Sequence, residues 1–350
     1  MLASESYPVG FSTFEPEHFH SSSRQSAKLP STVASPAPPI AGRMLQTLPP
    51  DLQRLFRTNV IRTWMDVIEH YTKRGLTKKT DKLPAISAVA RKAFDIQKCD
   101  YLAGLWKNDL VYELGWMPNF SELPSEIPGE GHEVQWDDAT YSQEPHLVQV
   151  LYRAPSWSWA SVDGQVTYAY NNDNIGTGNN HPLIEYIGHE IKLSNAKDLY
   201  GEVIGGYLTI KAQTIMVTLT KSPPVGGPRP ISQTTQVSVN EHIVNTQGNV
   251  YRDDLNGFFA PDPHNALAMP LLLSFSLSSG FLLTCLLLEE KEQNVYKRIG
   301  ALNWQSKKAK LESDSGLKQI MSKLGKIEWD VGSYTRFERD MTQLQEIKIV

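Results

Sequence analysis

Three serines in the stretch "YRAPSWSWASVDGQVTYAY", residues 152–170, have the type a nucleophile needs. Ser156, Ser158 and Ser161 stand between Arg153 and Asp163, so a hydroxyl, a cation and a carboxylate fall within eleven residues. Acyl-transfer chemistry would require a base within hydrogen-bond reach of one hydroxyl. No G-x-S-x-G elbow surrounds these serines, and no strand-to-helix turn follows them. Other groups fare no better. His132, Asp137, Asp138 and His146 match no recognised metal-ligand spacing, and His18 and His20 sit in a Ser/Pro-rich tail. "GTGNN" at 176–180 lacks the third glycine and the following helix of a dinucleotide fingerprint, and there is no Walker-type glycine–lysine sequence. Cys99 and Cys285 lie in apolar surroundings and read as small hydrophobes. Lys73-Arg74 and Lys78-Lys79 read as solvated pairs. The expectation is a chain with no catalytic residue, no cofactor and no metal.

If the serines are not reactive, they are present because they are small. Asp163-Gly164 is a two-residue hairpin signal, which makes 156–162 and 165–170 paired strands. In that register Val162 faces Gln165, Trp159 faces Tyr168 and Trp157 faces Tyr170. One face carries Trp157, Trp159, Val166, Tyr168 and Tyr170. The other carries Ser158, Ala160, Thr167 and Ala169. Aromatic residues fill cores far more often than they stack on ligands, so this face reads as a core wall.

The elements around it follow from periodicity. In Asp51–Met117 the pattern is helical. Val60, Ile61, Trp64, Val67, Ile68 and Tyr71 share one helix face, and Gly75 stands where a left-handed cap belongs. A second helix starts near Asp81, with Pro84 in its first turn and a stripe of Leu83, Ile86, Val89, Ala90, Ala93 and Phe94. A third is expected through 101–117 from the row Leu102, Trp106, Leu110 and Leu114, with a possible break at Lys107-Asn108. From Leu151 the signals are β, with strands expected at 156–162, 165–170, 184–193, 207–220, 271–278, 281–289 and 294–301.

The organisation expected is thus a disordered Ser/Pro-rich tail over 1–50, a helical region over 51–117, a polar loop over 118–149 and a β-rich domain over 150–350. The fold class is α+β, an N-terminal helical segment followed by a mostly antiparallel, sandwich-like β domain. Ala266–Leu288 has no charged residue over 23 positions, long enough to cross a bilayer. Leu273, Phe275 and Leu277 alternate there with Ser274, Ser276 and Ser278, and Ser279-Gly280 offers a turn, so a buried hairpin is expected and a membrane partner is not.

A net charge of −4 with no basic patch argues against nucleic acid as a partner. Two cysteines make no disulfide framework, and no signal or transit pattern opens the chain, which fits the cytoplasm. The Asn119-Phe120-Ser121 sequon is discounted for the same reason.

Four segments occur in one order: "WMDVIEHYTKRGLTKKTDKLPAISAVARKAF" (64–94), "YLAGLW" (101–106), "YRAPSWSWASVDGQV" (152–166) and "GFLLTCLLLEEKEQNVYKRIGALNW" (280–304). Together they resemble the C-terminal region of fungal heterokaryon-incompatibility proteins, the HET-domain family, over residues 58–305. Arg153, Pro155, Trp157, Trp159, Asp163 and Gly164 belong to the most specific part of the likeness and stand as a structural signature. Members of that family carry, upstream, an α/β core with a Leu-Ser-Tyr-x-Trp-Gly-like signature, which residues 1–57 do not contain. The family is implicated in non-self recognition and cell death when unlike fungal cells fuse. Its core is considered remotely similar to TIR domains, some of which cleave NAD. What the resemblance implies is a non-enzymatic accessory or regulatory module that acts through protein contacts. The alternative it leaves is a truncated gene model of an effector acting on NAD or another nucleotide. No family catalytic residue maps onto a position here.

Overall fold

The structure, a computed structural model, describes residues 50–119, 152–168, 179–221, 235–239, 242–244, 247–253, 263–276, 280–306, 313–330 and 333–350. The tail, nearly all of the polar loop with its His132, Asp137, Asp138 and His146, and most of 176–180 lie outside the described residues.

Helix α1 spans Pro50–Thr72 and buries Ile61, Trp64 and Ile68 of the expected apolar face, with Met65 beside them, while Val60, Val67 and Tyr71 are half-buried. It does not end on a left-handed Gly75. Its last residue, Thr72, turns its hydroxyl back to the Ile68 carbonyl at 2.8 Å. After a 3₁₀ turn at Lys79–Asp81, helix α2 runs from Lys82 to Gln97 with Pro84 in its first turn. Its stripe is narrower than expected. Leu83, Ile86 and Ala90 are buried, while Val89 and Phe94 face outward.

The third helix is largely absent. Residues 101–106 form a hairpin of β1 (Tyr101–Leu102) and β2 (Leu105–Trp106) instead. Ala103 and Gly104, with φ of 44° and 106°, make its two-residue turn. A 3₁₀ turn at 107–109, a one-turn helix α3 (Leu110–Glu113) and β3 (Trp116–Pro118) follow. Leu102, Trp106, Leu110 and Leu114 are all buried, so the i,i+4 row reported burial rather than helix.

Residues 156–162 are a turn and a 3₁₀ helix at Trp159–Ser161, not a strand. The Asp163-Gly164 hairpin is therefore absent, although Gly164 does take a φ of 84°. β4 (Val166–Tyr168) pairs with β3, placing Tyr168 opposite Trp116 and not opposite Trp159.

The β domain continues with β5 (Asn180–Pro182), β6 (Ile184–Leu193), β7 (Val203–Ala212), β8 (Ile215–Lys221), β9 (Thr235–Val239), β10 (His242–Ile243) and β11 (Gln247–Arg252). The single strand expected over 207–220 breaks between β7 and β8 at Gln213, whose buried amide donates to the Lys323 and Asp340 carbonyls. Three long strands, β12 (His264–Ser276), β13 (Gly280–Glu292) and β14 (Val295–Ser306), form an antiparallel meander. Helix α4 (Ser315–Leu324), started by the Asp314 carboxylate on the Leu317 N–H, then leads to β15 (Gly325–Asp330), β16 (Ser333–Arg339) and β17 (Gln345–Ile349).

Every ladder except β14–β17 is antiparallel. The chain from 180 to 193 turns a corner at Leu183: β5 pairs with β12, and β6 pairs with β7. Paired strands therefore run β12–β13–β14–β17–β7–β6 and return through β5 to β12.

Both faces of β13 are covered, which is why its sequence is a continuous apolar run. Leu286 and Leu288 enter a first core shared with α1, α2 and the 101–118 segment. Phe281, Leu283, Cys285 and Leu287 enter a second core under α4. On β12 a bulge at Leu271 exchanges the faces. Ala266 and Ala268 lie in the second core and Met269 and Leu271 in the first, yet beyond the bulge Leu272 is in the first and Leu273 and Phe275 in the second. The apolar run thus pairs strand on strand, β12 with β13, with residues 277–279 outside the described residues, and among the described residues no helix is long and apolar enough to cross a membrane.

Since Leu286 is fully buried at the centre of this meander, Leu286→Ala should cost about 2–5 kcal/mol in chemical denaturation. Ile187→Ala, at a residue 50% exposed, should stay within about 0.5 kcal/mol of wild type.

Candidate functional site

The signature segment folds around the turn of the β1–β2 hairpin. Ser158 is the N-cap of its own 3₁₀ helix: its hydroxyl accepts from the Ala160 N–H at 3.1 Å and donates to the Ala103 carbonyl at 2.6 Å. One residue on, the Trp159 indole donates to the Gly104 carbonyl at 2.9 Å, and the Trp64 indole of α1 donates to the same oxygen at 3.2 Å. Gly104 cannot be another residue: a Cβ there would lie 2.6 Å from Trp159 Nε1, on a backbone with positive φ. Trp157, also fully buried, accepts through its carbonyl from the Trp116 indole at 2.9 Å. Both signature indoles are core, as the sequence suggests, but Trp157 reaches it from a turn and Trp159 from the 3₁₀ helix, not from a strand.

Arg153 closes the segment on itself. Its guanidinium pairs with Asp163 and donates to the Ser161 carbonyl at 2.8 Å. Burial alone would raise the Asp163 carboxyl, but the bonds from Arg153 and Lys79 outweigh it and hold the carboxyl below its usual value. Pro155 accepts from the Ser158 N–H, and its ring comes within 3.3 Å of where a side chain on Gly206 would be. Lys82, buried in the first turn of α2, donates to the Val162 carbonyl and lies 5.7 Å from the Trp159 ring. Burial, with Arg153 beside it, pulls this ammonium down to about 8, against a smaller opposing pull from Asp163. Position gave no warning of Lys82, because a lysine in the first turn of an amphipathic helix reads as solvated.

The helical part meets the β ring at Arg298 of β14. Its fully buried guanidinium lies 3.3 Å from the centre of the Trp116 ring. It donates to the Leu114 and Trp116 carbonyls at 2.8 and 2.6 Å and to the Asp253 carboxylate at 2.9 Å. Burial lowers this guanidinium from its ordinary value, and Asp253 opposes that. From the other side α1 reaches β4: Glu69 accepts from the Tyr168 N–H and the Thr167 hydroxyl, both at 2.9 Å, and Thr72 accepts from the Val166 N–H at 3.0 Å.

The three candidate serines are all engaged by backbone. Ser156 donates to the Val350 oxygen and accepts from the Arg298 N–H at 3.0 Å. Ser158 is the cap described above, and Ser161 donates to the Ser158 carbonyl at 2.7 Å. Burial pushes both cysteine thiols up, Cys285 far beyond the thiolate range and Cys99 less. Among the described residues no cluster of three His, Cys, Asp or Glu could hold a metal ion.

The group that sequence reasoning missed is Glu113. It is fully buried at the end of α3. Its Oε2 accepts from the Trp106 N–H at 2.7 Å, while Oε1 has no partner. Burial, reinforced by the nearby Asp109 carboxylate, pushes this carboxyl well above the usual range. Asp109, buried too, accepts from the Gln97 amide at 2.9 Å. Tyr101 and Tyr168 flank the site, and both phenols are raised by burial first and Glu113 second. A carboxyl shifted in this direction favours its protonated form, which can donate a hydrogen bond. An i,i+4 pair of acids in a segment that looks helical gives no sign of this, since the pair reads as a solvated face.

Comparison with models of known families, with curated proteins and with solved structures returns no match.

A carboxyl whose folded-state value lies above its unfolded one binds a proton in the native state that the unfolded chain has lost. Its contribution to stability is complete below the unfolded value near 4.5 and declines as pH rises toward the raised folded value. Glu113→Gln, neutral at every pH, removes that dependence. Denaturation from pH 4 to pH 8 should therefore show the variant gaining steadily on wild type. A gap constant across that range would mean that Glu113 is ionised in the folded protein.

Proposed function

We propose that this chain is a non-enzymatic accessory or regulatory module, related to the fungal heterokaryon-incompatibility proteins, that acts in the cytoplasm through contacts with another protein. The relation rests on the segments 64–94, 101–106, 152–166 and 280–304. Most of the signature's polar groups are spent on internal bonds, which supports a scaffold in that segment rather than a reactive one.

The observation that carries the contact is on α2. Val89 and Ile96, each 46% exposed, stand two turns apart on its outer side, in line with the exposed Ala85 and Lys92. Spacings of four, three and four make one continuous stripe, opposite the buried Leu83, Ile86 and Ala90. Exposed apolar residues in a row, with a lysine among them, suit a partner that lays an apolar strip and an acidic group along the helix.

The test is expression of the full chain in a filamentous fungus beside a HET-domain protein. Wild type should alter growth or the death reaction, and Val89→Glu with Ile96→Glu, folded by circular dichroism, should abolish that effect. Absence of any effect of the wild-type chain, or consumption of NAD by the purified chain, would overturn the reading.

A further inference from the structure

The corner between α1 and α2 concentrates positive charge. Residues 73–82 hold Lys73, Arg74, Lys78, Lys79 and Lys82 against one acid, Asp81, in a chain whose net charge is −4. The first four of these cations are exposed. Along the chain they read as two solvated pairs, but the fold adds a further cation to them. Lys79 lies 3.0 Å from one oxygen of Asp163, Arg153 pairs with the other, and Lys82 donates to the Val162 carbonyl next to it. Lys79, Lys82 and Arg153 thus meet on residues 162 and 163 of the signature, which offer them a single carboxylate.

That carboxylate does not offset its neighbours. Lys82 is buried, and burial first and Arg153 second pull its ammonium down to about 8, while Asp163 opposes them less. Helix α2, sixteen residues long, starts at the same corner with the positive end of its dipole, and Asp81 at its N-cap makes no side-chain capping bond. The Lys79–Asp163 pair is exposed on both sides, and such pairs hold weakly, so Lys79 is free to turn to an incoming anion.

The size of the corner and the charge around it select the kind of anion. Arg153 and Lys79 already grip the two oxygens of a carboxylate. A nucleic-acid strand or an anionic bilayer would extend past the corner and meet the rest of the chain, where acids outnumber bases by more than the net charge of −4. A short acidic stretch of protein places its charge at the corner alone.

We propose that the α1–α2 corner, with Lys73, Arg74, Lys78 and Lys79 around the Arg153–Asp163 pair, is a docking surface for a carboxylate-rich segment of a protein partner. Lys79 exchanges Asp163 for a carboxylate of the partner, and Lys78 and Arg74 supply further donors. The surface uses no residue of the stripe proposed on α2, so either contact can fail without the other.

Fluorescence anisotropy of a labelled oligoglutamate peptide with the full chain tests it, with a single-stranded oligonucleotide and phosphatidylserine vesicles as rival probes. The peptide should bind, and binding should weaken as salt is raised. Lys78→Glu/Lys79→Glu, folded by circular dichroism, should bind it about tenfold more weakly. Lys73→Glu/Lys78→Glu, which leaves the bond to Asp163 in place, should do the same. Lys318→Glu/Lys326→Glu makes an equal change of charge at exposed positions on α4 and β15 and should bind like wild type. A peptide that does not bind, or that is weakened equally by the distant pair, would overturn the proposal. So would tighter binding of the oligonucleotide or the vesicles than of the peptide.

Discussion

A single carbonyl oxygen, that of Gly104, holds the helical part of this protein together. It is buried in the turn of a two-residue hairpin and receives two indole N–H groups, one from Trp64 on α1 and one from Trp159 in the signature segment. A buried carbonyl has two lone pairs, and here both are filled by side chains whose rings also make up the core. The geometry demands a residue with positive φ and no Cβ. Helix, hairpin and signature are thereby fixed to one another at one point, and the Ser158 hydroxyl on the neighbouring Ala103 carbonyl sets the angle at which the signature approaches.

Around that point the polar groups follow one logic. Where a charge is buried it is bonded from several directions. Arg298 meets two carbonyls and a carboxylate and lies against the Trp116 ring, so the strand meander and the 114–116 segment share one cation. Arg153 ties the two ends of the signature. Truncating Arg298 would leave the Leu114 and Trp116 carbonyls without this donor and break a buried pair, the situation in which such pairs become costly. Glu113 is the departure from this logic: its bond is to the Trp106 N–H rather than to a cation, and burial, with Asp109 nearby, pushes its carboxyl well above the usual range.

How much of this could be read beforehand depended on range. Local patterns were legible: the α1 face at Ile61, Trp64 and Ile68, the Pro84 start of α2, and the pairing of the apolar strands β12 and β13. Errors arose where a local pattern had two explanations. The alternation of Trp157, Ser158 and Trp159 imitates a strand, but Trp157 is buried from the turn closed by the Ser158 N–H on Pro155, and Trp159 from the 3₁₀ turn that Ser158 caps. The row from Leu102 to Leu114 imitates a helix because the whole segment is enclosed, and Gly104 was the contrary sign. On β12 the bulge at Leu271 inverts a period-two pattern midway, and Ser274 is buried because the strand is covered on both faces. The candidate site was illegible for a different reason. Arg298 finds its carbonyl at Leu114, 184 residues away, and Glu113 is unusual because it is buried beside Asp109 with the Trp106 N–H on one oxygen.

The account stands on the two indoles acting as a shared clamp rather than as a surface for some ligand. A double-mutant cycle with Trp64→Phe and Trp159→Phe, followed by chemical denaturation, measures this most directly, because phenylalanine keeps an aromatic ring and removes only the N–H. Either change alone leaves the Gly104 carbonyl one donor, and both together leave it none. The double variant should therefore lose more than the sum of the single losses, by a coupling of about 0.5–3 kcal/mol. Two small losses that simply add would contradict it.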